Sequence, residues 1–365
     1  MKKLRAIALY LPQFHPIPEN DAWWGKGFTE WTNVARARPR YRGHCQPRLP
    51  ADLGYYDLRV PEVREQQAEM AREYGIHGFC YYHYWFNGKR ILERPFDEVL
   101  LSGKPDFPFM LCWANENWTK AWDGGENAIL IKQEYSFEDD IKHIRQLVPI
   151  FKDSRYIKVN QKPVFCIYRA SLFPDIRRTI ALWREEAGRA NMELYLCGFE
   201  SFAQEGDELI EMGFDATVEF QPHALKKNGY LKYRNIFNRI INKISRMAIS
   251  RPIRSELYSY RKYVNYLCKQ GMPGYKRYPC VIPNWDNSPR RQGVFFAFKK
   301  STPALYYQWL KYAIDIFKPY GEDENFIFIN AWNEWGEGNY LEPDQKWGRA
   351  YLEKTKKAIL PDKGQ

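Results

Sequence analysis

The chain has 365 residues, of which 45% are hydrophobic and 17% aromatic, so it can bury a large core. It contains no apolar run of the roughly 18 residues that a transmembrane helix needs, and its short apolar start lacks the cleavage site of a signal peptide. The formal net charge is +11, and the seven cysteines include no CxxC pair. We therefore expect a cytoplasmic protein with reduced, buried thiols rather than a disulfide or zinc framework.

Eight short apolar runs recur along the chain. They are near-continuous rather than alternating, which is typical of parallel strands buried on both faces. The runs are Ala6–Leu11, Gly78–Tyr84, Phe109–Trp113, Val164–Tyr168, Leu194–Phe199, Ala216–Phe220, Tyr278–Ile282 and Phe326–Ala331.

Helical patterns alternate with these runs. They cover Pro61–Tyr74, Arg94–Leu101, Phe137–Lys152, Pro174–Ala190, Glu205–Met212, Glu256–Gln270, Pro303–Phe317 and Gly348–Ala358. Strand followed by helix, eight times, predicts an α/β protein with a closed (β/α)₈ TIM barrel as a single catalytic domain over residues 1–365. A doubly wound open sheet is the alternative, but no GxGxxG motif supports it.

Two connections exceed ordinary loop length: Pro12–Arg59 after the first strand and Gln221–Ser255 after the sixth. From Lys226 to Lys262 there are eleven Lys or Arg residues and one acid, so the second connection is a basic insertion. Residues 235–250 show an amphipathic helical pattern, which fits either a lid on the barrel or a peripheral contact with the anionic inner membrane. No nucleic-acid recognition motif accompanies the basic residues, so no nucleic-acid partner is expected.

Candidate site residues follow the predicted strands, where the βα loops of a barrel form its working face. Aromatic rings can stack on sugars while amides and carboxylates bind hydroxyls, although a packed cap over the barrel would have the same composition. The candidate substrate contacts are Gln13, His15, Trp31, His83, Trp113, Asn115, Glu116, Trp118, Glu219, Trp285, Asp286, Asn333 and Trp335, and Arg169, Glu200, Gln221 and His223 occupy similar positions.

The strongest signal is the loop Asn333-Glu334-Trp335-Gly336-Glu337-Gly338 after the eighth strand. In a helical turn, carboxylates three residues apart share a face with Cβ atoms about 5–6 Å apart, which suits an acid and base pair. Trp332 and Trp335 would lower the local polarity and raise the pKa of one carboxyl. The loop therefore predicts Glu334 and Glu337 as catalytic residues, with an exposed acidic first turn of a helix as the alternative.

Motifs of other chemistries are absent from the sequence. There is no HExxH, HxH or Cys/His cluster, so we expect neither a metal nor another cofactor. A GxSxG nucleophile elbow, a P-loop and an Asp-x-Asp pair are also missing.

Five segments carry a family resemblance: Tyr10–His15, Gly27–Val34, Gly78–Phe86, Trp113–Glu116 and Asn333–Gly338. They closely resemble the WbsX-like family, which is related to glycoside hydrolase family 99 and occurs in bacterial O-antigen and surface-polysaccharide loci. The resemblance implies a (β/α)₈ barrel with a metal-free, glycan-active site.

The resemblance also implies residue roles. The two catalytic glutamates of the family 99 loop Asn-Glu-Trp-x-Glu-Gly fall on Glu334 and Glu337. The first would deprotonate the substrate 2-hydroxyl, giving an anhydro-sugar intermediate and net retention, and the second would act as general acid and then base.

Three functions are consistent with the sequence. The first is a retaining glycoside hydrolase or transglycosidase acting on a bacterial surface polysaccharide, of O-antigen or capsule type, or on its precursor. The others are a glycosyltransferase of lipopolysaccharide O-antigen biosynthesis and a non-catalytic glycan-binding module.

Overall fold

The computed structural model describes residues 4–119, 129–201, 204–222, 256–291 and 293–360. His223 and the helix predicted over 235–250 lie outside these ranges. Eight parallel strands form the central sheet, and they agree with the eight apolar runs. They are β1 (Arg5–Tyr10), β2 (Ile76–Phe86), β3 (Phe109–Trp113), β4 (Lys162–Ile167), β5 (Tyr195–Glu200), β6 (Ala216–Glu219), β7 (Arg277–Tyr278 and Cys280–Val281) and β8 (Phe326–Ile329).

The sheet closes into a barrel through the two halves of β7. Its path begins at Arg277–Tyr278, runs through β6, β5, β4, β3, β2, β1 and β8, and ends at Cys280–Val281. Between the halves lies Pro279, which has no N–H to donate, although its carbonyl accepts a 2.8 Å hydrogen bond from Phe328. Because one strand forms both ends of the path, the predicted TIM barrel is confirmed.

Ten helices are described, and those after the strands surround the barrel. They are α1 (Pro18–Trp24), α2 (Glu30–Arg36), α3 (Pro61–Glu73), α4 (Arg94–Ser102), α5 (Phe137–Phe151), α6 (Ile176–Arg189), α7 (Gly206–Glu211), α8 (Tyr260–Leu267), α9 (Pro303–Ile316) and α10 (Ala350–Ile359). Several begin as their sequences require: Ser136, Asp175 and Thr302 cap the backbone with their side chains, and Pro61 and Pro303 stand at first helical positions.

One helix differs from its prediction. The pattern Glu256–Gln270 predicts a single helix, but Glu256–Ser259 forms a strand that pairs in parallel with Phe296–Lys299, and α8 starts only at Tyr260. Leu257 is buried against Phe295 and Ala297, so a small separate core holds this segment extended.

The long connection after β1 is ordered and contains α1 and α2. Four further short segments pair as antiparallel hairpins beside the barrel mouth: Trp118–Thr119 with Ile129–Ile131, and Asn333–Glu334 with Asn339–Tyr340. Short strands at Lys89–Ile91 and Lys158–Val159 pair antiparallel with β2 and β4, respectively.

All seven cysteines are free thiols, and none of the described helices is long and apolar enough to cross a membrane.

Candidate active site

The loop after β8 presents its two glutamates on one turn. Glu334 ends a two-residue strand, and the 3₁₀ turn Trp335–Glu337 brings the second glutamate back beside it. Gly338 follows in the left-handed conformation with φ 56°, which ends the turn and starts the returning strand. The turn required by the spacing of the two glutamates is therefore present.

Arg290 bridges the two glutamates. It stands in a 3₁₀ turn, Ser288–Arg290, in the loop after β7. Its Nη2 lies 2.7 Å from Glu334 Oε2, and its Nη1 lies 2.8 Å from Glu337 Oε1. One planar guanidinium therefore forms an ion pair with each of the two side chains, and its contact with Glu334 is also a charge-assisted hydrogen bond.

A third carboxylate, Glu30, joins this cluster. Glu30 is the first residue of α2 and has no exposed surface. Its Oε1 accepts a hydrogen bond from Arg290 Nε at 2.8 Å and forms an ion pair with Nη2 at 2.7 Å. The N–H of Gly336 also donates to it. A Cβ on Gly336 would overlap the Glu30 carboxylate and Arg290 Nε, so only glycine allows this approach.

Two carboxyl groups of the cluster, Glu337 and Glu30, have a raised pKa. Burial, together with the negative charges of Glu334 and Glu30, raises the pKa of Glu337 to about 8 despite the opposing effect of Arg290. Burial also raises the pKa of Glu30. Glu337 is thus protonated at neutral pH and able to donate a proton, as a general acid must.

Three tyrosines surround the cluster. Tyr82 and Tyr84 lie on the face of β2 directed toward the carboxylates, and Tyr168 follows β4. Burial is the main cause that raises the pKa of each phenol well above its usual range. The charge of Glu334 adds to this effect at Tyr82 and Tyr84, and the charges of Glu116 and Glu337 add to it at Tyr168. All three phenols therefore stay protonated and can donate hydrogen bonds.

The role predicted for Trp335 is not what its contacts show. Its ring stacks on Tyr340 at 3.7 Å, and its Nε1 donates to Glu342 at 2.6 Å rather than facing the catalytic pair. Trp332 packs 5.2 Å from Phe79. These tryptophans pack against other parts of the protein and support the loop. The pKa of Glu337 is raised by the overall burial of its carboxyl group rather than by contact with them.

Gln13 and His15, in the loop after β1, keep unused polar atoms. The Gln13 carbonyl accepts the N–H of Glu30 at 3.0 Å, while both side-chain amide atoms are buried without a partner among the described residues. His15 Nδ1 lies 3.0 Å from the Pro12 carbonyl, and its buried Nε2 has no described partner. Burial lowers the pKa of His15 to about 4, so it is neutral at physiological pH.

Asn333 and Asp286 use their side chains within the protein. Asn333 exchanges hydrogen bonds of 2.8 and 3.0 Å with the backbone of Leu11, which ties the catalytic loop to β1. Asp286 binds His44 at 2.7 Å and Gln46 at 2.8 Å, and its N–H donates to the Glu337 carbonyl at 2.5 Å. Burial raises the pKa of Asp286, but His44 and Arg48 outweigh it and bring the value to about 2.

Asn115 and Glu116 stand together after β3. The side-chain amide of Asn115 donates to the Arg169 carbonyl and accepts from the Arg169 N–H, both at 2.8 Å. Glu116 pairs with the Arg169 guanidinium at 2.5 Å. The pKa of Glu116 is raised by burial and lowered by Arg169, with a net rise. Its side chain is 39% exposed, so Glu116 remains available at the mouth.

The predicted aromatic contacts differ in position. Trp118 lies 5.1 Å from Tyr84 and 6.3 Å from Trp23, in a small cluster that reaches toward the carboxylates. Trp31 donates to the Tyr56 carbonyl at 2.8 Å and packs behind Trp335. The Nε1 of Trp285, next to Asp286, is buried without a described partner.

Three predicted contacts lie in the layer between the barrel and its helices. His83 faces His143 of α5 at 2.9 Å, and Trp113 packs against the same histidine at 4.4 Å. Glu219 pairs with Arg277 at 3.7 Å in a small cleft beside α8 and α9. We therefore leave His83, Trp113 and Glu219 out of the proposed site: residues alternate along a strand, and these three face outward.

The site residues predicted from the sequence did not include Glu30, Arg290, Tyr82, Tyr84 and Tyr168. Period-two alternation along β2 could have identified the tyrosines as neighbours of His83 on the opposite face. No group of three or more His, Cys, Asp or Glu within the described ranges has the arrangement of a metal site. The expectation of a metal-independent reaction stays a prediction.

The barrel and its carboxylate cluster are features of glycoside-hydrolase-type, carbohydrate-active proteins. The chain belongs to the family described as Glycosyltransferase WbsX, whose model matches residues 6–355. It is 40% identical over 358 residues to "Uncharacterized protein WxcX" of Xanthomonas campestris pv. campestris (strain B100). That match covers 97% of this chain and 49% of the relative, so the chain spans about half the length of the curated relatives it matches.

Solved structures share the fold. A "Glycoside hydrolase-like protein" superposes with a TM-score of 0.59 at 16% identity, covering 98% of this chain and 94% of that one. A GH99 endo-alpha-mannosidase from Bacteroides thetaiotaomicron does so with a TM-score of 0.58 at 14% identity, covering 97% and 96%. At these identities the likeness concerns the fold, which is that of the GH99 barrel enzymes.

Proposed function

We propose that the protein is a retaining glycoside hydrolase or transglycosidase that acts on a bacterial surface polysaccharide, of O-antigen or capsule type, or on its precursor. The observation that carries this proposal is the Arg290-bridged pair, Glu334 and Glu337, in the loop after β8. This is the face of a barrel where catalytic residues lie. Membership of a carbohydrate-active family supports the choice of a glycan as substrate.

The two glutamates divide the work. Glu334 takes the proton of the substrate 2-hydroxyl as that oxygen attacks the anomeric carbon, and Glu337 donates its proton to the departing glycosidic oxygen. Glu337 then takes a proton from water, or from an acceptor hydroxyl, as the oxygen of that water or acceptor attacks the anomeric carbon and opens the anhydro ring. Glu334 returns its proton to the 2-oxygen. The pKa of about 8 suits Glu337 to this role, because the group is protonated before the first step.

The surroundings supply groups for binding sugar. Trp118 and Tyr84 offer aromatic faces beside the cluster, while Gln13 and His15 carry buried polar atoms without described partners, which a sugar hydroxyl would satisfy. Glu116 and Trp285 complete the proposed contacts. The chemistry assigned to Glu334 and Glu337 uses only their own proton transfers, and we propose that it proceeds without a metal or other cofactor.

The description of the family favours a second candidate, a glycosyltransferase. In that case the same carboxylates would act on a sugar donor carrying a nucleotide or lipid diphosphate. For both candidates we propose a cytoplasmic location, with residues 235–250 serving either as a lid on the barrel or as a peripheral contact with the inner membrane.

A panel of bacterial surface polysaccharides and nucleotide sugars separates the candidates. We expect new reducing ends or transfer products with a polysaccharide, and retention of anomeric configuration by proton NMR. No cleavage of any polysaccharide, together with marked thermal stabilisation by one nucleotide sugar, would instead identify a transferase. Oligosaccharide binding without turnover that Glu334→Gln leaves unchanged would identify a binding module.

A further inference from the structure

Glu30 is more deeply buried than either member of the catalytic pair. It comes from the connection after β1, far along the chain from Glu334 and Glu337, and has no exposed surface. Its Oε1 accepts a hydrogen bond from Arg290 Nε and forms an ion pair with Nη2 of the same guanidinium, whereas its Oε2 has no described hydrogen-bond partner. A carboxylate buried in this way is unfavourable by itself, and its neighbours must stabilise it.

The surrounding chain is arranged to admit Glu30. Gly336, between the two catalytic glutamates, lacks the Cβ that would overlap the Glu30 carboxylate, and its N–H donates to that carboxylate. Thr29 and Thr32 form a capping box that fixes the start of α2, where Glu30 is the first residue.

We propose that Glu30 is a positioning residue that acts through Arg290. Its negative charge and its contact with the guanidinium keep the carboxyl group of Glu337 protonated. This inference rests on the proposed function, because it assigns the acid role to Glu337. It adds a third carboxylate to the two that the sequence motif identifies.

The charges around Glu337 give the direction of each effect. Arg290 and Arg291 face it from the loop after β7, Glu334 from its own turn and Glu30 from α2, and the phenols of Tyr82 and Tyr168 lie on the β2 and β4 side. With Glu30 neutralised, Arg290 acts on Glu334 and Glu337 alone. The proton on Glu337 is then held less tightly, and its pKa falls.

Two substitutions separate the charge of Glu30 from its shape. Glu30→Gln keeps the length and an oxygen that can accept from Arg290 and Gly336, but removes the charge. Glu30→Asp keeps the charge but shortens the reach. A purely structural role predicts that Gln is tolerated and Asp is harmful, whereas the proposed role predicts that Gln, and not Asp, changes the titration of Glu337.

Infrared titration of the carboxyl groups tests this without any substrate. The protonated-carboxyl band that is missing in Glu337→Gln identifies Glu337, and its midpoint in the parent protein is expected at about pH 8. We expect Glu30→Gln to lower this midpoint by about one unit or more, Glu30→Asp to shift it clearly less, and Glu98→Gln, a glutamate on α4 paired with Arg64, to leave it unchanged.

An unchanged midpoint in Glu30→Gln, or an equal shift in Glu30→Asp, would overturn the proposal. The titration does not depend on turnover. The proposal for Glu30 can therefore be refuted while the glycosidase function holds, and the glycosidase function can be refuted while the titration behaves as expected. If a substrate is found, the alkaline limb of the kcat/KM profile should move to lower pH in Glu30→Gln, with KM nearly unchanged.

Discussion

Replacement of Glu337 by Gln should change how the stability of the protein depends on pH. The folded-state pKa of about 8 exceeds the ordinary value of 4.5, so the folded protein retains a proton that the unfolded chain releases. The stability associated with this group is fully present below about pH 4.5 and is lost as pH rises through about 8. A shift of this size corresponds to about 5 kcal/mol as an upper limit.

Urea unfolding at about pH 5 and about pH 9 measures this effect. The free energy of unfolding of Glu337→Gln, minus that of the parent protein, should rise by several kcal/mol between the two pH values. The matched control is Glu98→Gln, because hydrogen bonds from Arg94 and Arg64 outweigh burial and lower the pKa of Glu98. Its difference should be small and should not rise toward high pH. A difference for Glu337→Gln that is the same at both pH values would refute the assignment of a retained proton to this residue.

Three further substitutions test the framework of the site by urea unfolding. Gly336→Ala should destabilise the fold by about 1–3 kcal/mol, because the added Cβ overlaps Glu30. The control Gly188→Ala, in a helix with open space around the position, should not destabilise it. Equal effects of the two substitutions would contradict the close approach of Gly336 to Glu30. Glu342→Ala should lower the free energy of unfolding by about 3 kcal/mol or more, because three buried donors lose their acceptor, and a loss below about 1 kcal/mol would refute this. Asp286→Asn should cost about 2 kcal/mol near neutral pH, because its pKa is about 2 in the folded protein, and the loss should shrink as pH falls toward 2; a loss independent of pH would show that charge is not involved.

The sequence predicts the barrel well because each strand is a separate apolar run. The run Phe109–Trp113 has the bounds of β3, and the remaining runs differ from their strands by a few residues. The division of β7 at Pro279 and the strand Glu256–Ser259 depend on partners far along the chain. Local patterns carry no information about such partners, so the helix predicted over Glu256–Gln270 was wrong at its start.

The candidate site could be predicted only where it is local. Glu334 and Glu337 are three residues apart, so one turn brings them together. Arg290 lies 44 residues from Glu334 and 260 from Glu30, and only closure of the barrel places them in contact. His83 shows the opposite failure, because its place after a strand suggested the mouth while alternation along β2 turns it outward.

The central claim is that Glu334 and Glu337 perform the chemistry on a glycan. The most direct test is the turnover of one bacterial surface oligosaccharide by the parent protein, Glu334→Gln, Glu337→Gln and the control Glu98→Gln, each with its folding verified by circular dichroism. We expect both site variants to lose at least about a thousandfold in kcat while still binding the oligosaccharide, and the control to keep full activity. Turnover by either site variant at the parent rate would contradict the account.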